Sequence, residues 1–388
     1  MARFAAGKAP FLRTTDHPSQ GTRIIMRDFM IGLSPIILFA WYKNGIQVWL
    51  DGNNTFLEML YPLIFILLGG FISMIMEGIF FYITDPQVRT LKALMPKLSS
   101  SFALIPGLLL AMVLPLYTPI WVLIFGCFVG TIVGKMLFGG FGHNIFNPAL
   151  LGYVAVGFTL LGVINAAGGV FNQSEVLVDA YAGATPLSSL LVNRVIGYDQ
   201  LVTPYGSLWN FFFGTIPGAL AETSAFAILL AYAWFVYRKV IKWFTPVIYV
   251  GTVFVVSWVL GMVLGDGGLW FPTYSILTGG LFFGAVLMAT EPVTSPKNPL
   301  GKVFNALFLG VLTVLFRYVG NFPEGVGTSI IVMNLFAMPL DRFTAIIRID
   351  GLKKSSIIKL AILIVFIILI AVYAIVKANG MYTIGGSL

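Results

Sequence analysis

The chain has 388 residues, 58% of them hydrophobic and 10% charged, with a net charge of +8 and a mean hydropathy of +0.94. Soluble domains carry about 25% charged residues, so this is no soluble enzyme, and its basic surplus does not point to a nucleic-acid partner. One cysteine (Cys127) and two histidines (His17, His143) leave no disulfide framework, no thiolate cluster and no histidine-based metal or haem site.

The N-terminal arm, Met1–Asp28, carries Arg3, Lys8, Arg13, Arg23 and Arg27 and no apolar stretch. It is therefore not a signal peptide, and the first span is expected to be an uncleaved anchor. Apolar runs of about 20 residues, each enough to cross the hydrocarbon core, then predict eleven helices at about 29–49, 57–83, 100–117, 120–138, 148–166, 218–237, 245–264, 273–290, 303–320, 327–341 and 358–377. With the N-terminus inside, the inner segments hold 19 of the 23 Lys and Arg. Only Lys43, Arg194, Arg317 and Lys377 fall outside. That imbalance satisfies the positive-inside rule.

The chain also repeats itself. Ala111-Met-Val-Leu-Pro115-Leu-Tyr-Thr-Pro119 bounds the third span, and Leu287-Met-Ala-Thr-Glu-Pro292-Val-Thr-Ser-Pro296 ends the eighth with the same Pro-to-Pro spacing. The fourth span runs through Lys135 into Gly139–Gly142, and the ninth runs through Arg317 into Gly320 and Gly325. Repeats of five spans face opposite ways, which is the inverted architecture of many transporters. The expected fold is an all-α polytopic membrane protein: two inverted five-helix repeats plus a C-terminal extra helix. Its parts are an inner arm (1–28), the first repeat (29–166), an outer loop (167–217), the second repeat (218–341) and a basic inner loop with the extra helix (342–388).

The longest polar interruption is Asp179-Ala-Tyr-Ala-Gly-Ala-Thr-Pro-Leu-Ser-Ser-Leu190. Its small residues, Ala182-Gly183-Ala184, let a bulky group approach the backbone. Thr185 offers a hydroxyl whose backbone is restricted by Pro186. Asp179 precedes that hydroxyl by six residues and can orient a donor or hold a counter-ion. From residue chemistry alone the stretch is a turn between two membrane helices.

This motif resembles the flavinylation sequence Asp-x-x-Ser/Thr-Gly-Ala-Thr of one membrane-protein family, although Ala182 stands where that pattern has Ser or Thr. The family comprises the D subunit of Rnf complexes and the B subunit of Na⁺-translocating NADH:quinone reductases. The resemblance spans roughly Met30–Asp341 and is nearer to the Rnf D subunit. It implies FMN bound to Thr185 through a phosphoester, installed by a separate flavin transferase, with Asp179, Gly183, Ala184 and Pro186 around the attachment site.

A second block, Phe138-Gly-Gly-Phe-Gly-His-Asn144-Ile-Phe-Asn147-Pro-Ala-Leu150, breaks a helix at a membrane boundary. Irregular backbone survives there only where protein or water satisfies it. Asn144 and Asn147 share one helix face and offer amide donors and acceptors together. A capped helix start explains them, and so does a flat heterocycle such as an isoalloxazine. The block resembles the family's Gly-Gly-x-Gly-x-Asn-x-x-Asn-Pro-Ala sequence, which implies a non-covalent riboflavin near Asn144 and Asn147.

Ionisable residues inside a membrane are costly and point to function. Glu77, Glu222, Glu291 and Asp341 are the candidates for an ion pathway, with Arg317 as a structural partner for Glu222; interfacial solvation explains Glu291 and Asp341 equally well. Phe282 and Phe283, in Leu281-Phe-Phe-Gly284, are candidates for an aromatic gate.

The resemblance implies a membrane component of a redox-driven complex in the cytoplasmic membrane of a bacterium or archaeon. Electron transfer there drives Na⁺ or H⁺ across the membrane, and the partners are further membrane and peripheral subunits, including a second FMN-bearing one. No residue pattern for NADH or ferredoxin is present, so oxidoreductase activity is expected of the assembly. The competing readings are the quinone-reductase branch of the family, a non-redox inverted-repeat transporter or channel, and a structural scaffold.

Overall fold

The computed structural model describes residues 21–167, 186–320, 325–350 and 353–385. The chain is mostly helical. Helix α1 (Thr22–Leu50) contains Pro35 and a π-helical turn at Tyr42–Ile46. Helix α2 (Phe56–Thr84) opens on a capping box between Thr55 and Glu58. Then follow α3 (Leu91–Ser101), α4 (Ile105–Val113), α5 (Ile120–Met136), α6 (Pro148–Thr159) and α7 (Leu161–Ala166). After α8 (Pro186–Asn193) come α9 (Ala225–Tyr237), α10 (Phe244–Leu264), α11 (Trp270–Leu277), α12 (Leu281–Met288), α13 (Pro299–Tyr318), α14 (Gly325–Asp350) and α15 (Lys354–Asn379).

Among the described residues, five helices are long and apolar enough to cross a bilayer, or seven if each of two bent pairs is one crossing. The expected third span (100–117) corresponds to α4, which forms one such pair with the preceding α3, bent by 55°. Phe102 sits there in the left-handed region (φ 52°), and Pro106 begins the new helix because it needs no amide partner. The expected eighth span is the other pair, α11 and α12, bent by 61°. Gly279 and Gly280 take φ of 65° and 61° at its break, a conformation that needs glycine. The expected sixth span begins only at Ala225, where Ser224 accepts a hydrogen bond from the Ala227 amide. Gly214–Ser224 before it is largely irregular. The all-α expectation has one small exception, a parallel ladder of β1 (Val195–Ile196) with β2 (Thr383–Ile384). This ladder holds the C-terminal segment at the same end of the molecule as the chain after α8.

Both bends are held in the same way. Lys135, at the end of α5, donates 2.8 Å bonds to the Ser101 carbonyl at the end of α3 and to Glu77 of α2. Arg317, at the end of α13, donates to the carbonyls of Ser275 (2.5 Å), Thr278 (3.1 Å) and Gly279 (3.2 Å) at the end of α11. One turn earlier on each cation's helix, a threonine reaches the neighbouring long helix. Thr131 pairs with Ser73 of α2 at 2.8 Å, and Thr313 pairs with Tyr249 of α10 at 2.6 Å. Lys135 and Arg317 are 2% and 0% exposed, and Lys43 is 1% exposed. All three are therefore buried and leave the tally of aqueous charges. That leaves eighteen of the nineteen assigned inner residues against Arg194 and Lys377.

Small residues let these helices touch backbone to backbone, as membrane helices do. A side chain on Gly107 of α4 would collide with the Gly69 carbonyl of α2, and one on Gly130 of α5 with the Pro148 carbonyl of α6. The buried Glu77–Lys135 pair gives the first prediction. Glu77→Ala strands a buried ammonium and should cost about 3–5 kcal/mol. Glu77→Met combined with Lys135→Met should recover most of that loss. Thermal unfolding of the detergent-solubilised protein reads both, and a double variant no more stable than Glu77→Ala contradicts the pairing.

Candidate functional site

The described residues place the candidates in two clusters, one at each break. The first begins where the Thr185 motif rejoins the described chain. Asp179, Gly183, Ala184 and Thr185 lie outside the described residues. Pro186 is the first residue of α8, and its carbonyl accepts a 2.9 Å bond from the buried Tyr274 hydroxyl of α11. Leu187 packs against Gly279, where a Cβ would come within 2.9 Å of its side chain. Glu222 presses its carboxylate against Gly280, next to the carbonyls that Arg317 holds. The backbone immediately after Thr185 is thus moored to the α11–α12 break. Arg317 spends its guanidinium on carbonyls of this break.

The segment that carries Glu222 is itself held from α1. Lys43, inside the π-helical turn, donates to the Ile216 carbonyl and to Thr223 Oγ1 (3.0 Å). Asn44 donates to the Leu220 carbonyl at 3.1 Å. The amides of Leu220 and Ala221 bond the carbonyls of Leu114 and Met112 at the end of α4. The irregular backbone at Gly214–Ser224 is satisfied by protein, as membrane depth requires.

The second cluster lies at the α3–α4 break. Gly139, Gly140 and Gly142 follow α5 with φ of 112°, 87° and 92°, so the chain turns back where only glycine is comfortable. Asn147 caps α6: its side-chain oxygen accepts from the Leu150 amide at 3.1 Å. Asn144 donates to Glu291 Oε1 at 3.1 Å, and Thr294 donates to Glu291 Oε2 at 2.9 Å. Asn334 of α14 accepts from the Asn147 amide at 3.0 Å and donates to the Thr294 carbonyl at 3.4 Å. Three distant segments are joined in one polar knot.

Beside this knot a narrow cleft of about 80 Å³ is walled mostly by apolar side chains. Phe29, Phe102, Phe141 and Leu287 line it, and Lys135, Asn144, Asn147, Thr290 and Glu291 bring polar groups to one part of the wall. The Phe102 and Phe141 rings meet edge to face at 5.0 Å, with Lys135 Nζ 5.8 Å from the Phe141 centroid. An apolar cavity with a few convergent polar groups is the usual form of a small-molecule site.

The carboxylates divide by role. Glu291 belongs to the cleft. Glu77 is paired with Lys135 and accepts from Ser101, with none of its side chain exposed. Asp341 accepts from the amides of Lys297 (2.7 Å) and Asn298 (2.8 Å), just before α13, and so stabilises the start of that helix. Phe283 is buried, and Phe282 is partly buried against the core. Tyr274 and Asn334 escaped the sequence reading, because their partners lie 88 and 187 residues away.

Comparison with known proteins fits this arrangement. Residues 7–349 match the sequence model of the NQR2, RnfD, RnfE family. The chain belongs to that family. It is 31% identical over 353 residues to the D subunit of the proton-translocating ferredoxin:NAD⁺ oxidoreductase complex of Clostridium ljungdahlii, covering 88% of this chain and 94% of the relative. It is 33% identical over 268 residues to the D subunit of the ion-translocating oxidoreductase complex of Stutzerimonas stutzeri, covering 63% and 75%. Identity to the B subunit of the Na⁺-translocating NADH-quinone reductase of Chromohalobacter salexigens is 34% over 247 residues, covering 62% of this chain and 57% of that protein. The family's matched region contains both clusters.

The mooring of Pro186 is directly testable. Tyr274→Phe leaves that buried carbonyl unpaired, at a cost of about 1–3 kcal/mol. The cost falls locally, so limited proteolysis between residues 168 and 193 should quicken while the helical core stays resistant. Unchanged cleavage in that stretch contradicts the mooring.

Proposed function

We propose that this chain is the flavin-carrying membrane component of an Rnf-type complex, in which electron transfer drives Na⁺ or H⁺ across the cytoplasmic membrane. The observation that carries the proposal is the cleft beside the Asn144–Glu291 knot. The relative matched over 94% of its length is the D subunit of a ferredoxin:NAD⁺ oxidoreductase complex, against 57% for the quinone-reductase relative, which favours the Rnf type. Its partners are then other membrane and peripheral subunits, a second FMN-bearing one among them, and a flavin transferase during maturation.

The cleft fits a riboflavin ring by its chemistry. Flat apolar walls with Phe102 and Phe141 suit the isoalloxazine faces, and Lys135, Asn144 and Glu291 suit its edge of carbonyl and imide groups. A bound flavin supplies transfer of one or two electrons at each of the two positions, the cleft and Thr185. Asn144 orients and bonds the polar edge, and Glu291, bonded to the Asn144 amide, fixes that amide's direction. Glu291 also holds a carboxyl where a proton can be taken up or released. At the other cluster, Tyr274 and Leu187 hold the backbone that follows Thr185, and Glu222 offers a carboxylate beside it.

We further propose two inverted five-helix repeats plus α15, with eleven crossings. The paired bends, each held by a buried cation from the next helix, support this. The two cations lie on opposite faces once the N-terminus is placed inside. The β1–β2 ladder supports the count as well, because six crossings between Ile196 and Thr383 return the chain to the same face. On this topology the Thr185 loop is outside. A cysteine replacing Asp199 should react with an impermeant thiol reagent from outside, and one replacing Lys242 from inside. Labelling of both from one side overturns the topology.

The flavin assignment is tested by two variants in the assembled complex. Thr185→Ala should abolish the flavin fluorescence that survives denaturation while the protein stays in the membrane. Asn144→Leu leaves a polar ring edge unpaired, which costs about 1–3 kcal/mol and weakens binding roughly 5- to 150-fold. It should release extractable riboflavin and keep the covalent FMN. Asn144 is a cleaner choice than Asn147, whose side chain also caps α6. Persistent covalent fluorescence in the first variant, or an unchanged ratio of extractable to covalent flavin in the second, rejects the corresponding site.

A further inference from the structure

A second cavity is unrelated to either flavin position. It is a groove of about 400 Å³ between α13, α14 and α15. Its walls are apolar throughout: Phe308 and Leu312 from α13, Met333 and Leu340 from α14, Leu363 and Phe366 from α15. Along α14 it runs from Val332 to Phe343. At 1.5 Å per residue that is roughly 16 Å, half of a hydrocarbon core about 30 Å thick. The groove therefore has the depth of one leaflet. Phe308 and Phe366 meet part-way along it, with ring centroids 5.9 Å apart.

Its other end is basic. Lys359 places its ammonium 5.7 Å from the centroid of Phe343, the last residue of the groove wall. Arg342, Lys353 and Lys354 are exposed at the same end of the helix pair. Asp341, beside Arg342 in the chain, accepts from the amides of Lys297 and Asn298. Clusters of Lys and Arg at a membrane surface attract anionic lipid headgroups, and basic pockets between membrane helices bind them specifically.

We propose that this groove is a binding site for one anionic phospholipid, with an acyl chain between α13, α14 and α15 and the phosphate at Arg342 and Lys359. A helix from a neighbouring protein of the complex is the weaker occupant, since a full-length span would find a complementary wall over only half its length. The site would give α15 a partner on a flank that otherwise faces the bilayer with Ile362, Phe366 and Leu369 exposed.

Native mass spectrometry of the purified complex, titrated with phosphatidylglycerol or phosphatidylcholine of the same acyl composition, tests the proposal. Phosphatidylglycerol should remain bound under conditions that strip phosphatidylcholine, with at least a tenfold difference in retention. Leu363→Trp, which fills the groove and keeps its charge, should lower phosphatidylglycerol retention at least tenfold. So should Arg342→Gln combined with Lys359→Gln, which removes the charge and leaves the apolar wall of the groove in place. Equal retention of the two lipids, or full retention in the Gln pair, overturns the proposal. Leu363→Trp releasing a neighbouring protein of the complex while lipid retention is unchanged also overturns it, in favour of a helix in the groove.

Discussion

An interrupted helix inside a hydrocarbon core leaves carbonyls that no water can reach, so the protein itself must supply the donors. This chain meets that constraint with buried cations. Lys135 closes the end of α3, Arg317 closes the end of α11, and Lys43 holds the Ile216 carbonyl in the irregular segment before α9. A cation is the suitable donor because carbonyls at a helix C-terminus carry partial negative charge. A long side chain also reaches the break from the next helix without disturbing either backbone. Around these three contacts the candidate sites are arranged: the cleft beside Lys135, the moored end of the Thr185 loop beside Arg317, and Glu222 on the segment that Lys43 holds.

The same constraint explains why the two breaks carry different companions. Lys135 has Glu77 as its counter-ion, at 2.8 Å and fully buried. Arg317 instead satisfies three carbonyls with its planar fork, which presents donors at fixed angles. A lysine at that position would present one ammonium to three acceptors spread over Ser275–Gly279. The first break therefore rests on an ion pair and the second on geometry. Only the first leaves the ammonium of its cation on the wall of an open cleft.

The helices, their apolar runs and the glycine turn at Gly139–Gly142 were legible in the sequence, because each depends on residues close together in the chain. The Asn147 cap was legible for the same reason, since its partner is three residues away. The breaks were not. Phe102 takes a left-handed conformation without being glycine, and an apolar run reads as continuous whether or not the helix bends within it. Lys43, Lys135 and Arg317 enter the inside–outside charge count, and Arg317 reads as a partner for Glu222, because the sequence shows position along the chain and not the carbonyls that receive each cation. Asp341 read as an ion-gathering carboxylate, yet its acceptors are taken by backbone amides more than forty residues away in sequence. Glu291 stands out in the sequence as an ion-pathway candidate, but its partner Asn144 comes from the other half of the chain, and Asn334, which completes the knot, comes from α14, beyond the reach of any local pattern.

One short stretch of backbone links the two clusters. Gly280 lies against Glu222, and eleven residues later Glu291 bonds Asn144 beside the cleft. Between them runs α12 with its π-helical turn at Gly284–Met288, roughly 12 Å of helix at the usual rise. A π-helical turn has longer-range hydrogen bonds than its surroundings and is a frequent companion of functional sites. Position alone does not couple two sites; a shared element must have two arrangements that each site favours differently. The Gly280–Glu291 segment meets the structural half of that requirement. It is hinged by two glycines at one end, tied by a single carboxylate at the other, and in contact with both clusters. A shift of this segment along its axis would change the Glu222–Gly280 packing and the Glu291–Asn144 bond together.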